Sequence, residues 1–386
     1  MTRFVTVDEA ESIAQSAVAD AMKNMMSMTE TIVQQAVAKA LLKIARAPRP
    51  FKLIGLNGSK DYAQTVAKEL GIELTPHEEK TFEDGETYVK AGDGLDGNVR
   101  GHDVFVIQSL FTDKSESVCD KFFKLCMMAG SLKDASAHEV NVVIPHLAWA
   151  RQDRKTESRA PITTKYVAKM LESCGVDRAL FIDVHNLAAE QNAFTRPIDN
   201  LEAKNLFAEY CAKSLVADGK TSKPIKILSP DSGGLNRCER FRSALLRVLK
   251  AQGVQIDDIE IVTFDKRRIK GQLKGGRIIG NVQGAVLIAL DDMISTFGTM
   301  KKACDAGINE GGELHAICAT HGLFCGAAND SLDGLDTKVV VADTVTPWRV
   351  SDKNLNKIVT VSTSHLVADA IRRIHSGTGS LSDLLK

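Results

Sequence analysis

The residues with the clearest chemical potential stand at the end of an apolar run. In AVLIALDDMISTFGT (285–299), apolar residues lead into Asp291 and Asp292, then Ser295, Thr296, Gly298 and Thr299. An unbroken apolar run of this length reads as a buried strand. Such a strand delivers two adjacent carboxylates and a hydroxyl-bearing turn to the start of a helix. Hydroxyls and backbone N–H groups at a helix N-terminus suit a phosphate. Paired carboxylates accept hydrogen bonds from sugar hydroxyls or hold a metal through water. Turn formation and N-capping account for one Asp and one Thr. They do not account for the second Asp beside a Thr-x-Gly-Thr turn.

Other apolar runs end in comparable chemistry. FIDVH sets Asp183 and His185 two residues apart, on one face of an extended segment. Alone, such a pair is more often a structural histidine with its partner. ILSPDSGG carries Asp231 ahead of Gly233 and Gly234, where glycine permits close backbone approach to a ligand. A plain turn explains it equally well. Two compact basic clusters also follow apolar runs. AWARQDRK holds Arg151, Arg154 and Lys155; FDKRR holds Lys266, Arg267 and Arg268, in a polar, Gly-rich stretch reaching Gly276. Charge runs are usually solvated faces. Here 49 basic residues balance 49 acidic ones, so two clusters at strand ends point to a local polyphosphate site. Phosphoryl transfer is driven mainly by positioned cations and Mg²⁺.

The elements that must position these residues follow from periodicity. From Phe51 onward short apolar runs alternate with amphipathic segments. The runs are FKLIGL (51–56), VFVIQSL (104–110), VNVVIPHL (140–147), ALFIDVH (179–185), IKILSP (225–230), IEIVTF (259–264), AVLIALDD (285–292), LHAICATHGLF (314–324) and KVVVADT (338–344). The spacing predicts helices near 116–135, 163–174, 201–217, 234–252 and 299–311. Apolar strands separated by helices indicate parallel sheets covered on both faces. There are enough strands for two α/β domains, as expected for 386 residues. Residues 1–47 lack Gly and Pro, and repeat apolar residues at helical spacing from Ile13 to Ile44. This predicts one or two amphipathic helices, ended by Pro48 and Pro50, packed on the body or on a neighbouring subunit.

Several function classes fall away. Zero net charge removes a chain-wide claim on nucleic acid or acidic lipid. The eight cysteines contain no CxxC, so a zinc ribbon fails and buried free thiols of a cytoplasmic protein are expected. No apolar run approaches the roughly 20 residues of a membrane span. Asp8, Glu9, Glu11 and Asp20 argue against an organelle-targeting peptide. Gly92, Gly94 and Gly97 spell G-x-G-x-x-G, but Asp93 and Asp96 would repel a pyrophosphate. GLNGSK (55–60) lacks Walker A spacing, and no G-x-S-x-G elbow occurs.

Taken together these stations resemble ribose-phosphate diphosphokinase, the phosphoribosyl pyrophosphate (PRPP) synthetase family. The resemblance runs from about Phe51 to Leu385, through FEDGE (82–86), NVRGHDVFVIQS (98–109), ARQDRK (150–155), RAPITTKYVAKML (159–171), DVH (183–185), SPDSGG (229–234), DKRR (265–268), DDMISTFGT (291–299), ATHGLFCG (319–326) and AIRRIH (370–375). It implies an α/β fold of two phosphoribosyltransferase-like domains with mainly parallel sheets, plus the helical extension. The implied bounds are 1–50 for the extension, 51–200 completed by about 358–386 for the first domain, and 201–357 for the second. The implied reaction moves the β,γ-diphosphoryl group of ATP to the anomeric hydroxyl of ribose 5-phosphate, giving PRPP and AMP, with Mg²⁺ as cofactor. The implied assembly is a homo-oligomer, a hexamer built from dimers.

By motif match the resemblance also implies residue roles. Phe82, Asp84 and Glu86 would contact adenine, usually from a neighbouring subunit. Arg151 and Gln152 would hold ATP phosphates, with Asp153 orienting them. His185, Asp231, Asp183 and Asp199 would serve Mg²⁺. Lys266 and Arg268, with His185, would carry catalysis, the first two on a mobile loop. Asp291 and Asp292 would grip the ribose hydroxyls, and Ser295, Thr296, Gly298 and Thr299 the 5-phosphate. Three departures stand out. Ser295 replaces the family's Asp, and Phe297 fills a position that is usually small. After His185 the segment is one residue longer, with Thr195 where an acid is common. Phe297 and the extension leave a non-catalytic regulatory subunit as the alternative. A plain phosphoribosyltransferase would lack ARQDRK, DVH and DKRR together.

Overall fold

The computed structural model describes residues 7–45, 49–92, 97–269 and 272–386, without the side chains of 7–10, 13, 38–45, 266–269 and 272–275. Pro48 and Gly94 lie outside the described residues, as do the side chains of Lys266, Arg267 and Arg268. Two compact units emerge, Met1–Arg49 and Pro50–Lys386. The first holds one continuous helix, α1 (Val7–Ala45), of 39 residues. A stretch without Gly or Pro has nothing to interrupt it.

The second unit begins with β1 (Phe51–Gly55), α2 (Lys60–Leu70) and a hairpin of β2 (His77–Thr81) and β3 (Thr87–Ala91). Then follow β4 (Asp103–Ile107), α3 (Val118–Asp134), β5 (Glu139–Ile144), α4 (Thr163–Ser173), β6 (Arg178–Ile182), α5 (Leu187–Ala193) and β7 (Ile198–Leu201). β1, β4, β5, β6 and β7 form a five-stranded sheet in that order, every neighbouring pair parallel. The apolar strands are buried on both faces. α3 and α4 cover one face around Leu125, Met128 and Leu171. α2 covers the other.

The chain then runs through α6 (Lys204–Ala217), β8 (Ile225–Ser229), α7 (Leu235–Ala251), β9 (Glu260–Ile269), β10 (Gln272–Ile279), β11 (Val286–Ile294), α8 (Gly298–Asn309) and β12 (Glu313–Gly322). It ends with α9 (Ala328–Asp333), β13 (Lys338–Ala342), α10 (Asp352–Leu355), β14 (Ile358–Val361) and α11 (Ser364–Ser376). The second sheet has seven strands in the order β10-β9-β8-β11-β12-β13-β14, parallel except for the β9–β10 pair. α6 and α7 cover one face around Phe207 and Phe241. α8 and α9 cover the other around Met300, Phe324 and Leu332. β14 still belongs to this sheet, and α11 returns to the first, burying Leu366, Val367 and Ile371 beside α2.

All nine apolar runs became strands. Five of the described strands escaped the sequence: β2, β3, β7, β10 and β14; the first four carry charges or small residues in place of an apolar run, and β14 is only four residues long. The Gly-rich stretch after FDKRR, read as loop, forms an antiparallel ribbon in which Lys266 lies opposite Gly276. A Cβ on Gly276 would fall 2.3 Å from the Phe264 ring, so the ribbon needs glycine there. All eight cysteines are free; Cys119 is exposed and Cys174 and Cys325 are half-buried, so the expected burial holds for the other five. No described helix is long and apolar enough to cross a membrane.

Candidate active site

The carboxyl ends of the two sheets face each other across a cleft of about 650 Å³. In the second sheet the chain leaves β8 toward β9 on one side and later adds β11 on the other. Ligands in open α/β sheets bind at such a reversal. The loop after β8 brings Asp231 to the cleft, the end of β11 brings Asp291 and Asp292, the turn into α8 brings Ser295, Thr296, Gly298 and Thr299, and the loop after β6 brings Asp183 and His185. Arg151 and Arg154 line its rim.

The two sheets are stitched at this point. Asp183, in a left-handed backbone conformation (φ 44°), accepts hydrogen bonds from the Ala203 N–H at 2.9 Å and from Thr320 Oγ1 of β12 at 2.7 Å. Burial raises its carboxyl, against those two bonds. His185 Nδ1 meets Asp292 Oδ2 at 2.7 Å. That bond raises the imidazole above its usual value.

The paired aspartates are not equivalent. Arg237, from the first turn of α7, places Nη1 3.0 Å from Asp291 Oδ1 and Nη2 3.6 Å from Asp292 Oδ1. Burial alone would raise Asp292, but the His185 bond and the Arg237 charge hold it well below the ordinary range. Burial and the neighbouring Asp292 charge push Asp291 up to about 7. One carboxylate is thus firmly ionised while its neighbour is poised to gain or lose a proton. Asp231 accepts from the Gly233 N–H at 3.0 Å and caps the turn into α7. A Cβ on Gly234 would fall 2.6 Å from Ser229 Oγ.

Phe297, which fills the usually small position, lies along the cleft lining. The residue is only 3% exposed and packs in the core of the second sheet with Ile294, Met300 and Phe324. Its backbone caps α8 at φ 67°. Thr195 takes part in a local clamp: its N–H and hydroxyl, and the Arg196 N–H, all bond the Glu172 carboxylate.

Other expected residues lie elsewhere. Asp199 pairs with Arg178 at 2.5 Å, and it is the next residue, Asn200, that lines the cleft. Side-chain alternation along β7 sends the two to opposite faces. Gln152 and Asp153 are not among the cleft-lining residues. Gln152 accepts from Thr163 Oγ1, and Asp153 bonds Arg154 and Asn186 Nδ2, which, with the Arg154 bond foremost, lowers its carboxyl to about 2. Phe82, Asp84 and Glu86 form the tip of the β2–β3 hairpin, outside the cleft. Gly85 turns at φ 91°, Asp84 accepts from the Glu86 N–H, and the Phe82 ring is 52% exposed. The backbone at Lys266 and Arg268 lies in β9. Sequence reasoning missed Arg237, Asn186 and Arg240. In LNRCERFR (235–242) the two arginines read as the polar face of a helix, although Arg237 stands three residues after the SPDSGG turn, and Asn186 reads as the residue after DVH.

Comparison with known proteins decides the family. Residues 51–175 match the N-terminal domain of ribose phosphate pyrophosphokinase, and residues 261–386 match the phosphoribosyl synthetase-associated domain. Ribose-phosphate pyrophosphokinase 1 of Streptococcus pneumoniae is 38% identical over 330 residues, 84% of this chain and 94% of that protein. The protein of that name from Lactococcus lactis is 39% identical over 328 residues, with 84% and 93% coverage. The chain belongs to the ribose-phosphate pyrophosphokinase family. A crystal structure of phosphoribosylpyrophosphate synthetase from Mycobacterium smegmatis superposes with a TM-score of 0.73 at 27% identity, covering 86% of this chain and all of that one. The shared part is the ribose-phosphate pyrophosphokinase body, with its two mainly parallel sheets, to which this chain adds α1.

Proposed function

We propose that the chain is an active ribose-phosphate diphosphokinase, which moves the β,γ-diphosphoryl group of ATP to the anomeric hydroxyl of ribose 5-phosphate. The observation that carries this reading is the shared cleft. Asp291 and Asp292, the Ser295–Thr299 turn, Asp231 and His185 all line one space, although they come from both sheets. A subunit kept only for regulation has no need of that convergence.

The hydroxyl of the sugar is the nucleophile, so no protein nucleophile is required. Asp291 and Asp292 hold the ribose hydroxyls, and Ser295, Thr296, Gly298 and Thr299 take the 5-phosphate at the start of α8. Arg151 and Gln152 hold the ATP phosphates, with Asp153 fixing Arg154 and Asn186 beside them. Lys266 and Arg268, on the β9–β10 ribbon, neutralise charge on the transferring group. Phe82, Asp84 and Glu86, exposed on their hairpin, serve the adenine of a neighbouring subunit in a homo-oligomer.

The residues present fit Mg²⁺ in a particular way. Among the described residues no group of three or more His, Cys, Asp or Glu side chains could hold a metal alone. Mg²⁺ usually binds through one or two protein groups plus substrate phosphates, and Asp231 and His185 would hold it there. When bound, it neutralises phosphate charge. Asp183, occupied by Ala203 and Thr320, shapes the site from behind. The same reading divides the body into a domain at 51–200 and a second that runs from 201 through β14, with the segment after β14 returning to the first, and it assigns the protein to the cytoplasm.

The test is direct. Purified protein is incubated with ATP, Mg²⁺ and ribose 5-phosphate, and AMP and PRPP are followed by chromatography. Equal amounts of both, dependent on the sugar phosphate, are expected. Folded protein that yields no AMP would transfer the weight to a regulatory subunit.

A further inference from the structure

We propose that α1 is an antiparallel self-association element, which pairs with the α1 of a second copy of this chain. Its apolar residues make a half-cylinder. Val18, Met22, Met25, Met26, Met28, Ile32, Val33 and Val37 are all 51–75% exposed. At 3.6 residues per turn they fall on one side of the helix, and Asp20, Lys23, Asn24, Ser27, Glu30, Thr31 and Gln34 fall on the other. Eight exposed apolar side chains on one helix are an unfilled interface.

The spacing selects a helical partner. Val18, Met22, Met25, Thr29, Ile32 and Ala36 follow alternating steps of four and three residues, the seam of a coiled coil. Thr29 is the polar member, and its hydroxyl already bonds the Met25 carbonyl at 2.7 Å, so placing it in a seam leaves no unpaired donor. A length of 39 residues, about 58 Å at 1.5 Å per residue, gives room for several heptads.

Charge fixes the partner and its direction. The sequence opens α1 with Asp8, Glu9 and Glu11 and ends it with Lys39 and Lys43. Two copies running parallel would set acid against acid and base against base. Running antiparallel, the seam continues with Val18 facing Ala36, Met22 facing Ile32 and Met25 facing Thr29, and the same register brings Glu11 opposite the partner's Lys43. A membrane surface is the poorer match. The polar face carries Asp20 and Glu30 against Lys23, whereas helices that lie on anionic lipid carry Lys and Arg there.

Photo-cross-linking of the full chain tests this. A benzophenone amino acid replaces Met22, the protein is irradiated, and covalent dimers are separated on a denaturing gel and mapped by mass spectrometry. The expected product is a dimer joining position 22 to the peptide around Ile32. Its yield should fall severalfold in Lys39→Glu/Lys43→Glu and recover when Glu9→Lys/Glu11→Lys is added. Circular dichroism of each variant checks that the helix remains. Four results would overturn the proposal: a dimer joining position 22 to its own counterpart, a cross-link within one chain to the body, no cross-link from folded protein, or no recovery in the fourfold variant.

Discussion

Replacing Arg237 with Met tests the electrostatics of the cleft most sharply. The guanidinium lies between two adjacent, largely buried carboxylates, 3.0 Å from Asp291 and 3.6 Å from Asp292. Methionine keeps most of the length and removes the charge. Breaking a buried pair from one side costs about 3–5 kcal/mol, because the remaining charge is left uncompensated. At this chain length that corresponds to a fall in Tm of about 4–6 °C. The loss must also depend on pH. Asp291 sits near 7 in the folded protein against an ordinary 3.8. The folded state therefore binds this proton more tightly than the unfolded state. Its contribution is fully present below about pH 4 and is lost as pH rises through 7. Asp292 acts oppositely: held low, it contributes above about pH 4 and is lost in acid. Without Arg237 both carboxyls move up, so the variant should lose more stability at pH 8 than at pH 5.5, where Asp291 takes up a proton. Differential scanning fluorimetry at the two pH values measures this. Arg240→Met is the control. Its bond to Glu202, with the Arg240 side chain 47% exposed, is worth about 0–1 kcal/mol. A variant as stable as wild type at pH 8, or equally destabilised at both values, would refute the assignment of Arg237 as the compensating charge.

Lys266→Ala should lower turnover by about 10²-fold with little change in ATP affinity; unchanged turnover in the AMP assay would remove Lys266 from the reaction. Lys124→Met should destabilise the protein by about 3 kcal/mol, because it strips the buried ammonium that joins Glu79 and Glu116 beneath the β2–β3 hairpin; an unshifted urea midpoint would count against it. Phe297→Gly should relieve about 1–2 kcal/mol of backbone strain but lose about 3–5 kcal/mol of buried ring. A net loss near 2 kcal/mol with unchanged ribose 5-phosphate affinity is expected, and a large change in KM for the sugar phosphate would place the ring in the phosphate site instead.

The sequence disclosed most of the parts and little of their arrangement. Apolar strands such as Val286–Leu290 are buried on both faces, so they stand out as unbroken runs. Asp291, Asp292, Asp183, His185 and Asp231 were legible because each follows such a strand. β7 was not, because its four residues include Asp199 and Asn200. That gap also explains the expectation for Asp199: without a strand there was no pleat to show that Asn200, and not its neighbour, reaches the cleft. Arg237 was hidden for another reason. An arginine on an amphipathic helix reads as a solvated face, and only the turn of the chain at Gly233 and Gly234 directs it inward. The Phe297 ring was undecidable from the sequence, since its direction depends on a left-handed φ imposed by the turn between β11 and α8.

The meeting of two sheets explains why these residues act as one site. Asp183 and Thr320 are 137 residues apart, and His185 and Asp292 are 107 apart, yet both pairs close at 2.7 Å. Each pair joins a loop after β6 to a strand of the second sheet. The Trp348 indole likewise donates to the Thr112 carbonyl at 2.9 Å, and the buried rings of His146 and His321 meet at a tilt, 4.5 Å between centroids, across the same boundary. Contacts this distant in sequence form only after both sheets exist, because loop closure precedes the reward for each bond. The ionisation of the cleft is therefore a property of the assembled body. The His185 imidazole is raised by a carboxylate of the other sheet, and that same bond helps to hold Asp292 low while burial and the Asp292 charge push Asp291 up. Displacing one sheet against the other would break the bond at both ends, returning His185 and Asp292 toward their ordinary values together. The charge pattern that recommends this cleft for a sugar phosphate exists only while the two sheets are aligned.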